Sequence, residues 1–182
     1  MIDDHGWLSS VRKVPSPNCN DRPDQAAISL LVIHNISLPP RQFGGSYICD
    51  FFSNCLKTDE HPYFAEIDGL EVSAHLLIDR EGRVTQFVPL NQRAWHAGQS
   101  CFEGIENCND FSIGIELEGA DDIPYSDKQY QTLVAVTNEL MRYYPAITQQ
   151  RIVGHSDIAA GRKTDPGPAF DWPRYLAAIH VD

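Results

Sequence analysis

The chain has 182 residues, 42% apolar and 21% charged, with a formal net charge of −11, which suits one globular domain with a substantial core. The acidic balance argues against a nucleic-acid partner, which needs a basic face, and against adsorption to an anionic membrane. No stretch approaches the roughly 18 continuous apolar residues of a membrane-spanning helix, and MIDDHGWLSS, with neither a basic start nor an apolar run, does not read as a signal peptide.

In chain order, residues 1–28 are polar and interrupted by Pro15, Pro17 and Pro23, which predicts a largely irregular arm lying on the domain. Residues 29–36 (SLLVIHNI) form a short apolar run rich in β-branched side chains, the pattern of a strand covered on both faces. Pro39 and Pro40 end it. Residues 46–56 place Tyr47, Ile48, Phe51, Phe52 and Cys55 at helical spacing. Residues 74–78 and 84–88 flank Arg80-Glu81-Gly82 and predict a hairpin.

Residues 111–118 (FSIGIELE) alternate strictly: Phe111, Ile113, Ile115 and Leu117 on one face, Ser112, Gly114, Glu116 and Glu118 on the other. The second face, small residues beside carboxylates, is either solvated or the floor of a pocket. Residues 126–144 are a helix, with Ser126 and Gln129 as a capping box and Pro145 after its end. Residues 151–154 are a short strand delivering His155, and Asp171 caps a final helix to about residue 179, with Pro173 in its first turn. Strand, helix, hairpin, strand, helix, strand, helix predicts an α/β fold with a central mixed sheet flanked by helices, spanning 1–182 as a single domain.

His34 and His155 each end an apolar strand, where an unpaired imidazole is costly. They are either satisfied core histidines or two neutral nitrogen ligands converging at one sheet edge. The segment after His155, SDIAAGRKTDPGPAFDW, supplies Asp165 in a proline-restricted loop. His34, His155 and Asp165 would leave one tetrahedral position open, as a catalytic zinc site requires; Asp157 is the lower-ranked rival third ligand. Lys163 would stabilise an oxyanion if Asp165 binds the metal. Glu116 is the candidate general base, with Glu118 as its competitor on the same face. Trp95 and His96 in RAWHAG suit a sugar- or peptide-binding rim, and Asn35 and Tyr63 are candidate polar contacts to a substrate amide. His5 and His180 are assigned no role. Cys19, Cys49, Cys55, Cys101 and Cys108 are odd in number and contain no C-x-x-C pair, so they read as reduced thiols of a cytosolic protein rather than a disulfide framework or a cysteine zinc site.

The blocks VIHNISLPP, HPYFAEI, VSAHLLIDR, RAWHAG, CNDFSIGIELEG and GRKTDPGPAFDW resemble the AmpD-type N-acetylmuramoyl-L-alanine amidases, within the broader group of phage amidase-lysozymes and peptidoglycan recognition proteins. The match runs from about residue 6 to 172. The resemblance implies a cytoplasmic hydrolase of cell-wall recycling, acting on 1,6-anhydro-N-acetylmuramyl peptides at the lactyl–L-Ala amide and thereby influencing β-lactamase induction. It implies one zinc ion on His34, His155 and Asp165, and catalytic roles for Glu116 and Lys163, so it selects Glu116 over Glu118 and Asp165 over Asp157. Asn35, Tyr63, His75 and Trp95 are assigned to the substrate side. Some family members carry arginines that pair with stem-peptide carboxylates where this chain has Glu71 and Asn107, so its distal stem contacts are expected to differ. A monomer is expected. The alternatives are a non-catalytic muropeptide sensor, against which the filled ligand set counts, and an amidase of polymeric peptidoglycan outside the cytoplasm.

Overall fold

The computed structural model describes residues 1–23 and 26–180; residues 24 and 25 of the expected arm, and 181 and 182, lie outside the described residues. In chain order the elements are β1 (Arg12–Lys13), β2 (Cys19–Asn20), β3 (Leu30–Ile36), α1 (Tyr47–Phe52), β4 (Leu76–Ile78), β5 (Val84–Gln86), β6 (Arg93–Ala94), β7 (Cys101–Phe102), β8 (Ile105–Glu106), β9 (Ser112–Glu118), α2 (Asp127–Tyr143), β10 (Ile152–Gly154), α3 (His155–Ile158) and α4 (Trp172–Ala178). Six strands form one mixed sheet in the order β1-β5-β4-β9-β3-β10, in which only the β4–β5 pairing is antiparallel. This is the expected α/β architecture.

The alternation along β3 and β9 divides the core between two faces. Leu31 and Ile33 of β3, with Ile113, Ile115 and Leu117 of β9, pack against Tyr130, Leu133, Leu140 and Met141 of α2 and Tyr175 of α4. The opposite face meets α1 through Ile48, Phe51, Phe52, Phe64 and Leu77. Both faces of β9 are buried from Ser112 to Glu118, so its small-residue face is a floor and not a solvated surface.

The capping box that opens α2 is formed as predicted. The Ser126 hydroxyl accepts from the Gln129 N–H at 3.2 Å, and the Gln129 side chain accepts from the Ser126 N–H at 3.0 Å. Asp171 caps α4 by accepting from the Arg174 N–H at 3.0 Å. The helix expected over 46–56 is shorter: it stops at Phe52, and Asn54 takes a left-handed φ of 58°.

The N-terminal arm is largely irregular, with two short strands set into it. The arm adds β1 as a parallel edge strand beside β5 and pairs β2 with β6. Arg22 then fixes its end, donating to the carbonyls of Asn109, Asp110, Leu90 and Ser112 at 2.9–3.1 Å. Two-residue strands have no alternation to detect, and a guanidinium that donates to main-chain carbonyls leaves no partner in the sequence.

Candidate active site

Register builds the site. In the parallel β3–β9 pair His34 lies opposite Glu116, and in the parallel β3–β10 pair Ile33 lies opposite Gly154. The next residue after Gly154, His155, therefore emerges beside His34 where β10 turns into α3. Parallel neighbours at one level point to the same face, so the strand ends alone bring Glu116, His34 and His155 together at the carboxyl edge of the sheet.

Asp165 closes the set from the loop after α3. His34 Nδ1 and His155 Nδ1 are 3.0 Å apart, and each is 3.1 Å from Asp165 Oδ2. The His155 Nε2–H donates to the Ala97 carbonyl at 3.1 Å. A neutral His155 held that way turns the Nδ1 lone pair toward Asp165 and His34. Three lone pairs then converge on one point, an arrangement that a cation stabilises. The separations also suit a small ion, since ligands at 2.0–2.1 Å in a tetrahedron lie about 3.3 Å apart. Among the described residues this is the cluster that fits a metal.

The electrostatics agree with that reading. Burial holds the His34 imidazole down at about 4, so it stays a neutral ligand at ordinary pH. In the metal-free site burial pushes the Asp165 carboxyl up, but the imidazoles of His155 and His34, each 3.1 Å away, outweigh it and leave Asp165 below the usual carboxylate range. Glu116 is shifted the other way: burial raises it well above its ordinary value, the Asp165 charge adds to the rise and Lys163 opposes it. Its Oε2 is buried without a hydrogen-bond partner. Glu118 accepts from the Gly44 and Arg80 N–H groups, and Asp157 accepts from the Gly154 N–H at 2.7 Å. Both rivals are therefore occupied by backbone, and Glu116 and Asp165 are not.

His34, Glu116, His155, Lys163 and Asp165 line a cavity of about 390 Å³, with Leu38, Phe51, Phe52, Ile67 and Leu70 forming an apolar wall. Tyr63 and Trp95 lie on that wall, and the Trp95 indole N–H donates to Asn20 at 2.6 Å. Asn35 also borders the cavity, but its amide is engaged: it donates to Asp121 at 2.8 Å and to the Pro166 carbonyl at 3.2 Å, where the Tyr125 hydroxyl also donates at 2.8 Å. It braces the loop that carries Asp165.

The placement of His75 at the substrate is corrected. It is fully buried, its Nδ1 accepts from the Gly114 N–H at 3.0 Å, and its Nε2 faces the Gln92 carbonyl at 3.0 Å. Glu71 lies outside the cavity, in a groove with Asp68 and Leu70, and Asn107 lines a different groove with Cys101 and Arg162. Asp121, which accepts from the Asn35 amide, and Tyr125, which donates to the Pro166 carbonyl, carry no signal in the sequence, because such long-range hydrogen bonds have no spacing pattern. His96 lines the cavity beside Trp95, as the rim reading expects, and also lies between His34 and Ser112, packed on the glycine of the SIGIE segment.

An arrangement of two imidazoles, a carboxylate and an unpartnered buried glutamate beside a lysine is equipped for hydrolysis of a polarised carbonyl. The profile of the N-acetylmuramoyl-L-alanine amidase family matches residues 24–168. The chain is 57% identical over 179 residues to the 1,6-anhydro-N-acetylmuramyl-L-alanine amidase AmpD of Salmonella typhimurium, covering 98% of this chain and 95% of that protein. It superposes on a crystal structure of a selenomethionine AmpD derivative with a TM-score of 0.95 at 56% identity, covering 99% of this chain and all (100%) of that one. A more distant neighbour is the amidase AmiD of Escherichia coli in complex with the substrate anhydro-N-acetylmuramic acid-L-Ala-D-γ-Glu-L-Lys, at 28% identity and a TM-score of 0.61, covering 99% of this chain and 66% of that one.

The chain belongs to the N-acetylmuramoyl-L-alanine amidase family. Within it, the chain is of the AmpD type, as the sequence blocks implied.

Proposed function

We propose that this chain hydrolyses the amide between the lactyl group of a 1,6-anhydro-N-acetylmuramyl peptide and its L-Ala, with one zinc ion held by His34 Nδ1, His155 Nδ1 and Asp165 Oδ2. The observation that carries the reading is the convergence of those three atoms within 3.0–3.1 Å of one another on the wall of a cavity that also holds Glu116. Near-full-length identity to AmpD supports the substrate class.

When bound, zinc supplies Lewis-acid chemistry, polarising a carbonyl and making water a better nucleophile near neutral pH. The chain does the rest. Glu116, with a free oxygen facing no protein donor, takes the proton of the attacking water. Burial makes Glu116 a stronger base than an exposed carboxylate, and the proton it gains is available for the departing amine of L-Ala. Lys163, exposed at the cavity edge, offers its ammonium to the oxygen that becomes negative as the carbonyl carbon turns tetrahedral. The wall of Leu38, Phe51, Phe52, Tyr63 and Trp95 takes the apolar faces of the sugar and lactyl group and excludes water.

The site is complete within one chain, which supports action as a monomer. No helix among the described residues is long and apolar enough to cross a membrane, and all five cysteines are free; both fit a cytoplasmic recycling enzyme that limits the fragments driving β-lactamase induction. The test is incubation with an anhydro-N-acetylmuramyl tripeptide. Release of the free tripeptide, abolished by chelator and restored by zinc, is expected. Binding without release by the zinc-loaded protein would make the chain a muropeptide sensor instead.

A further inference from the structure

With Nδ1 turned toward His155 and Asp165, the other nitrogen of His34 needs a partner of its own. That partner is His96 Nδ1, 2.9 Å from His34 Nε2, with the two rings edge-on at 84° and their centroids 5.0 Å apart. The remaining nitrogen of His96, Nε2, is 3.1 Å from the hydroxyl of Ser112. Ser112, Gly114 and Glu116 share one face of β9, so the His96 ring lies along that face. Gly114 is what admits it: a Cβ there would stand 2.5 Å from His96 Cγ and Nδ1. The His96 backbone is fixed as well, its N–H donating to Asn109 at 3.1 Å while the Ala97 N–H donates to the same oxygen at 2.8 Å.

The order of protons along this chain follows from one requirement. A His34 that offers its Nδ1 lone pair to a metal carries its proton on Nε2. His96 Nδ1 must then accept, so the His96 proton sits on Nε2 and is donated to Ser112. The second ligand is built alike, with His155 Nε2 donating to the carbonyl of Ala97, the next residue along. One short segment after β6 thus sits behind both imidazoles.

We infer that His96 is a positioning residue of the metal site, accepting the Nε2–H of His34, with Ser112 as the terminal acceptor, so that His34 Nδ1 is aimed at the ion. This rests on the zinc reading above. It assigns His96 a role beyond its place on the cavity wall. Partners behind metal-binding histidines typically change affinity by about 10–100-fold when removed.

The test is zinc affinity by competition with a chromophoric chelator, for wild type, His96→Leu, which has no acceptor, and His96→Gln, whose amide can both accept and donate. His96→Leu is expected to weaken zinc by about 10–100-fold, with most of the loss recovered in His96→Gln. Equal losses in both variants, or an affinity in His96→Leu within twofold of wild type, overturn the inference; the second result with a raised KM would leave His96 a rim residue alone. Should His96→Leu not fold, Ser112→Ala decides: a several-fold loss supports the inference and an unchanged affinity overturns it. Nitrogen-15 spectra of the zinc-loaded wild type give an independent reading, expected to find His96 protonated at Nε2 and bare at Nδ1; the reverse overturns it. A wild-type chain that binds no zinc would instead bring down the metal reading itself, an outcome distinct from all of these.

Discussion

The Glu116 side chain is 9% exposed and has a buried oxygen with no partner, so in the metal-free chain folding favours its neutral form. Its folded pKa lies above the ordinary 4.5, and the unfolded chain therefore binds fewer protons than the folded one above that pH. Stability is full below about 4.5 and falls as pH rises from there toward the raised folded value. Glu116→Gln is expected to make the metal-free protein more stable at pH 7 by about 1–3 kcal/mol, with the gain vanishing below pH 4.5, while turnover falls by about 10²–10⁴. Urea titrations at several pH values together with product release check both halves; a destabilised variant would contradict the account. Lys163→Met is expected to lower kcat by about 10²–10³ and leave zinc affinity unchanged, because Lys163 is assigned to the oxyanion and not to the ion. A parallel loss of zinc would contradict that role.

Among the elements, β3, β9 and β10 position the chemistry, and their sequences announce it. SLLVIHNI and FSIGIELE show by run and alternation that His34 and Glu116 sit on strands, and parallel register then pairs them. The loop that brings Asp165 is less legible: its prolines signal restriction, but the brace from Asn35, Tyr125 and Asp121 is visible only in three dimensions. Asn35 borders the cavity beside His34, but its amide is spent on Asp121 and the Pro166 carbonyl, which adjacency in the sequence does not reveal. Gly167 makes the loop testable. Its φ is +79°, and a Cβ there would lie 2.2 Å from the Asp121 Cα, whereas Gly161, at φ +77°, has nothing within 4 Å. Gly167→Ala is expected to cost about 1–3 kcal/mol and to weaken zinc more than about tenfold by moving Asp165, a ligand-positioning loss of the usual size. Gly161→Ala should cost only the backbone strain, about 1 kcal/mol, with normal zinc affinity. Similar zinc affinities in the two variants would contradict the brace.

Across the whole molecule, three imidazoles are held neutral by burial: His34 at about 4, His75 at about 3 and His96 well below its ordinary value. As pH falls through 6.5 the unfolded chain takes up protons on these groups while the folded chain does not. Stability present at neutral pH is therefore lost toward pH 4, by up to about 1.4 kcal/mol per pH unit for each group. Denaturation midpoints of the chelated protein should fall steeply over that range, and a flat profile would contradict the burial of these rings. The sequence made the layered α/β fold legible through its long alternating strands and capped helices. It concealed the edge strands β1 and β2, which are too short to carry a pattern, the burial of His75 and the contact of His96 with His34, since a histidine reads the same whether it faces a substrate, a carbonyl or another imidazole. The central claim is that a single ion is gripped by two Nδ1 atoms and one carboxylate oxygen. Anomalous diffraction at the zinc edge from zinc-loaded crystals tests it most directly. One peak is predicted, about 2.0–2.2 Å from His34 Nδ1, His155 Nδ1 and Asp165 Oδ2; a peak elsewhere, or none, in crystals of active protein would contradict it.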